Sequence, residues 1–152
     1  MRLSNESEVV GKMRRFLLLF TLVGSIAGVA AGTSSAATDR GIVPFVASGN
    51  PACSDLSGVS WSESVRFSPP VNGSNANGVH LLVDGNTFQW FVLRDVRDLN
   101  VRAVIAKGGK TANVYVYPGG DYSDGGLSAP TNPKNGKPAD LGAVTVCFDP
   151  AS

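Results

Sequence analysis

Few side chains in this chain could do acid–base chemistry. From residue 38 onward there is one histidine, His80, and one glutamate, Glu63. His80 stands between Val79 and Leu81, opposite in parity to its apolar neighbours, as an ordinary solvent-side strand residue would. A hydrolytic site built on it would draw on a nearby Ser or Asp, and both are plentiful. No Gly-x-Ser-x-Gly elbow is present to expose a nucleophile. Glycosidase chemistry needs two carboxylates at a defined separation, and nothing in the spacing of the acidic residues selects a pair. No P-loop occurs, nor a Gly-x-Gly-x-x-Gly opening a helix, and no cofactor is implied. The expectation is a protein that is not an enzyme, with a secreted hydrolase centred on His80 as the alternative.

Two other groups could hold a ligand. Asp121-Tyr122-Ser123-Asp124-Gly125-Gly126 offers oxygen ligands on a turn, so Asp121 and Asp124 are candidate calcium ligands. The run lacks the alternating carboxylates and distal Glu of an EF-hand loop, and Asp and Gly are also what turns are made of. In the alternating run around Ala112–Tyr117, Val114 and Val116 facing the core would turn Asn113, Tyr115 and Tyr117 outward. Tyrosines beside an amide present apolar bodies and polar tips to sugars or protein partners. The plain alternative is cross-strand aromatics that stabilise the sheet, or a loop folded over them.

These residues sit in a chain whose beginning reads as an address. Lys12, Arg14 and Arg15 precede an apolar run from Phe16 to Ala27, and small residues follow to Ser35-Ala36-Ala37. That order is a secretory signal peptide, with cleavage expected after Ala37 and Gly32 as a weaker site. A retained membrane anchor is the competing reading, weakened by Gly24, Ser25 and Gly28. Met13 is a second candidate start. The Arg14-Arg15 pair lacks the usual flanking polar residue, which favours the general export route over the twin-arginine one.

Cys53 and Cys147 are the two cysteines. In an oxidising compartment, a pair without metal-like spacing is expected to form one disulfide. Zinc would want four ligands, and only His80 is available beside them. Residues 38–152 then carry nine basic and ten acidic side chains. This leaves no positive surplus to drive nucleic-acid or anionic-membrane binding. Asn72-Gly73-Ser74 fits a glycosylation sequon, relevant only in a eukaryotic pathway.

The elements that must position all this are strands. No window holds a 3.6-residue apolar period over a helical length. Alternation over five to nine residues recurs instead, broken by Gly, Pro, Asn and Asp. Strands are expected at Val59–Phe67, Val79–Val83, Thr87–Leu93, Val101–Ala106, Ala112–Tyr117 and Ala143–Phe148, with a seventh candidate at Ile42–Val46. Asp84-Gly85-Asn86 between two apolar runs is a hairpin signal. Pro118–Gly142 lacks periodicity and reads as one long connection of the functional or disordered kind. The pattern predicts an all-β antiparallel sandwich of six to seven strands closed by one disulfide, with a barrel as the alternative.

Several pieces in order carry a resemblance. They are Gly49-Asn50-Pro51-Ala52-Cys53, then Lys107-Gly108-Gly109, Asn113-Val114-Tyr115-Val116-Tyr117, Gly126-Leu127-Ser128-Ala129-Pro130-Thr131-Asn132, and the closing strand with Cys147. The series resembles a group of uncharacterised secreted bacterial β-rich modules. Those often carry Ile-Ser-His before the closing strand, where this chain has Leu141-Gly142-Ala143. The resemblance implies an extracellular location and a sandwich-like module, and no activity. Together these readings point to a non-catalytic extracellular binding or surface-interaction module for polysaccharide or protein, or else a purely structural component of the cell exterior.

Overall fold

A computed structural model describes residues 37–151. The expected signal peptide, its export route and its start at Met1 or Met13 fall on residues outside that range. The described chain is all-β, with nine strands: β1 (Phe45–Ser48), β2 (Glu63–Phe67), β3 (Gly73–Ser74), β4 (Val79–Asp84), β5 (Thr87–Val92), β6 (Leu99–Gly108), β7 (Thr111–Asp121), β8 (Ser123–Ser128) and β9 (Ala143–Pro150). One 3-10 turn, Cys53–Asp55, interrupts them. Among the described residues no helix is long and apolar enough to cross a membrane.

The strands form two antiparallel sheets, one in the order β1-β7-β6-β9-β2 and the other β3-β4-β5-β8. Local turn chemistry builds the two tight hairpins, β4–β5 and β6–β7. In β4–β5 the last pair is Asp84 with Thr87, so Gly85-Asn86 makes a two-residue loop with Gly85 at φ 58°. In β6–β7 the pair Gly108 with Thr111 leaves Gly109-Lys110 as the loop, Gly109 at φ 61°. Two-residue hairpin loops need positive φ, which glycine adopts without strain.

Between the sheets lies one apolar core, with Leu81, Trp90, Leu99, Tyr115, Leu127 and Phe148 among its largest buried members. A second, smaller cluster covers the outer face of the five-stranded sheet. There Cys53 and Leu56 pack on Ala103, Ile105, Val114 and Cys147. The Cys53–Cys147 disulfide, with Cα atoms 5.8 Å apart, fastens this cover to β9.

Three sequence expectations change in detail. The first strand begins at Phe45 rather than Ile42, because Pro44 has no N–H to give to a ladder. The stretch Val59–Phe67 is strand only from Glu63, since Val59 and Trp61 pack onto the outer cluster. The connection expected over 118–142 is in fact partly sheet. β7 runs on to Asp121, and Ser123–Ser128 forms β8 at the edge of the second sheet. Only Ala129–Gly142 remains a connection, folded on itself by a Thr131–Pro138 bridge.

Candidate functional site

The tyrosine strand faces the other way from its expected orientation. Asn113 and Tyr115 are fully buried and Tyr117 is 3% exposed, all on the inter-sheet side of β7. Val114 turns outward, under the cover held by the disulfide. β7 is therefore buried on both faces, and apolar parity cannot decide which side looks at solvent.

The polar tips of these residues pin the sheets together. The Tyr115 hydroxyl donates to the Ser128 carbonyl and accepts from the Ser128 amide, both at 2.9 Å. Asn113 Nδ2 donates to the same carbonyl at 2.9 Å. Tyr117 donates to Asp124 Oδ2 at 2.8 Å and lies edge-on to Trp90. Burial pushes the Tyr117 phenol's ionisation upward, and the Asp124 carboxylate adds to the shift. The ring faces are inside the protein and not presented to a ligand.

The two candidate calcium ligands are spent on protein donors. Asp124 Oδ1 accepts the backbone amides of Arg40 at 3.1 Å and Gly125 at 2.8 Å, while Oδ2 holds Tyr117. Asp121 Oδ1 takes the Tyr122 amide at 2.8 Å and the Arg40 guanidinium at 3.3 Å. The turn is a strap site: residues 38–42 dock along β8, with the Asp39 amide donating to the Gly125 carbonyl at 2.9 Å. Among the described residues no group of three His, Cys, Asp or Glu could hold a metal ion.

His80 lies on the outer face of the four-stranded sheet, stacked on its cross-strand partner Phe91 at 4.6 Å. Ser74 Oγ is 2.5 Å from its Nδ1. The hydrolase alternative thus finds one hydroxyl beside the imidazole. The pair sits on an exposed sheet face and lines none of the larger grooves.

The concavity the sequence did not reveal lies on the outer face of the five-stranded sheet. Its volume is about 500 Å³, and Phe45, Ala47, Pro51, Leu56, Val59 and Val116 supply its apolar lining. β1 and β7 make the floor, and the segment anchored by Cys53 makes the wall. Asp55 is the one charged residue along it, its Oδ2 accepting the Ala52 amide at 2.8 Å. A second concavity, about 350 Å³, lies by Asn86, Asn132 and Asn135. Asn86 Nδ2 donates to the Pro138 carbonyl at 3.1 Å, and Asn132 and Asn135 accept the Lys134 and Lys137 amides through Oδ1.

The groove assembles residues from 45 to 59 with Val116, and no local motif announces it. Its one sequence-level signal is the uncharged run Phe45-Val46-Ala47-Ser48, which would otherwise need covering. No family model, curated protein or solved structure matches this chain.

Proposed function

We propose that this protein is a non-catalytic extracellular binding module that holds its ligand in the groove beside β1. One observation carries the reading. A disulfide-anchored segment walls an apolar concavity of about 500 Å³ over the last strand of the sheet, where Phe45 and Val46 are 52% and 55% exposed. A concave, mostly apolar site with few polar groups is the usual form of a ligand site. Secretion and the resemblance to extracellular bacterial modules agree with this reading and are part of the proposal.

Co-sedimentation of the oxidised protein with insoluble polysaccharides and cell-envelope fractions tests it. Saturable binding to one fraction is expected, with loss when Ala47→Arg fills and charges the groove floor. Binding that survives Ala47→Arg in a folded protein would overturn the site.

A hydrolase reading draws on the Ser74–His80 contact alone. It requires substrate turnover that His80→Ala removes.

A further inference from the structure

Each sheet of a sandwich ends in strands whose outer N–H and C=O groups lack a ladder partner, and proteins protect such edges. Three of the four edges here are protected. β3 is only two residues long. β8 is covered by the 38–42 strap. β2 carries two charged residues in five, Glu63 held by Arg97 and Arg66 turned to Thr145 and Asn50. It is followed directly by Ser68-Pro69-Pro70.

β1 lacks the charges of β2, the two-residue length of β3 and the strap of β8; its one guard is Pro44, just before its first residue. It holds no charge, its own Phe45 and Val46 and the preceding Val43 are exposed, and among the described residues it pairs only with β7.

The register shows which groups are free. Phe45 opposes Val114 and Ala47 opposes Ala112, and in the same phase the Gly49 amide donates to the Lys110 carbonyl at 2.8 Å. In an antiparallel pair, alternate residues exchange both of their bonds with the partner strand. Phe45, Ala47 and Gly49 therefore bond toward β7, and Val46 and Ser48 aim their N–H and C=O away from the sheet. Pro44 closes the edge on one side and Gly49, at φ 77°, on the other. The open stretch is four residues, about 14 Å of strand.

We propose that this edge binds an extended, non-acidic polypeptide segment as an added strand, its alternate side chains entering the neighbouring groove. The inference rests on the binding reading above and names the ligand class. Two donors and two acceptors alternating along a strand match another peptide backbone, and no polysaccharide offers that spacing. A residue opposite Ala47 faces the side of the sheet where the groove lies. Asp55, the groove's one charge, disfavours an acidic segment. A second copy of this chain is the poorer occupant. Two four-residue strands joined edge to edge fall well short of the roughly 1,000 Å² that a stable interface needs.

The test is selection of a random seven-residue peptide library on the folded, oxidised protein, followed by affinity measurement on the synthetic peptides that enrich. Enriched sequences should be proline-poor, with apolar residues at alternate positions. Binding should fall at least tenfold with Val46→Pro, which removes an outward N–H and leaves the β7 ladder intact. Val46→Lys keeps the amide and guards against a folding defect; it should weaken binding as well. Hydrogen exchange should show the Val46 and Ser48 amides gaining protection only with peptide bound.

Peptides that ignore both Val46 variants yet are lost with Ala47→Arg would overturn strand addition and leave the groove reading standing. No enrichment, alongside co-sedimentation that Ala47→Arg abolishes, would do the same. A concentration-dependent dimer that Val46→Pro dissolves would assign the edge to a second copy and overturn the proposal.

Discussion

The edges β1 and β8 end different sheets, and the same short N-terminal stretch treats them in opposite ways. Residues 38–42 lie on β8: the Asp39 amide reaches Gly125, the Arg40 amide reaches Asp124, and the Arg40 guanidinium reaches Asp121 and Ser123. Only a few residues later the chain becomes β1, whose own outer edge is left bare and apolar. Leaving one edge open while the other is capped through a buried carboxylate points to a cost that the protein avoids at β8 and tolerates at β1. An exposed, uncharged edge is an association hazard. Its retention beside a groove is the physical ground for reading β1 as a binding edge.

The largest expected effect comes from the element that walls the groove. Replacing Cys53 and Cys147 by Ala removes the tie across 94 residues of chain. It should lower the unfolding free energy by about 4–5 kcal/mol, read from denaturant melts. Hydrogen exchange sharpens the comparison. The segment around Cys53–Val59 should lose protection before the strap on β8 does, because only the former hangs on the bond. Equal loss at both would mean the two regions open as one unit.

Breaking the strap is the next effect in size. Asp124→Ala leaves the Tyr117 hydroxyl, buried, and the Arg40 and Gly125 amides without their acceptor. A loss of roughly 2–3 kcal/mol is expected from groups left unsatisfied. The variant should also make β8 resemble β1, with faster exchange of its outward amides and a tendency to self-associate. A stable, monomeric Asp124→Ala would show that the strap holds without its anchor.

How much of this was legible in the sequence follows from how far each signal reaches. The hairpin at Gly85 was readable because positive φ is a local demand. The Cys53–Cys147 bond followed from the pairing of two cysteines that lack metal-like spacing. The orientation of Tyr115 was not readable, because both faces of β7 are covered and the cover on the Val114 side comes from residues near 53. β8 was hidden for another reason: Ser-Asp-Gly-Gly-Leu-Ser has one apolar residue, Leu127, and no alternation to reveal a strand. The groove depends on tertiary packing between those same distant segments, so it was visible only in the fold.

The smallest expected effect concerns the far edge of the first sheet. Arg97 donates to both Glu63 oxygens, fixing a charge at the start of β2. Its hydrogen bonds hold the Glu63 carboxyl below the usual glutamate range. A depressed folded pKa stabilises the protein above the unfolded value, about 4.3 for Glu, and that contribution fades as pH falls through the folded one. Wild type should therefore exceed Glu63→Gln in urea midpoint by a constant small margin at neutral pH. The margin should begin to shrink as pH falls below about 4.3, the unfolded value, and vanish only once pH lies below the depressed folded one. The pair is about one-third exposed, with side chains at 34% and 37%, so screening keeps the margin small. A margin that persisted in acid would trace to packing rather than charge, and β2 would then be guarded by its prolines instead of its ion pair.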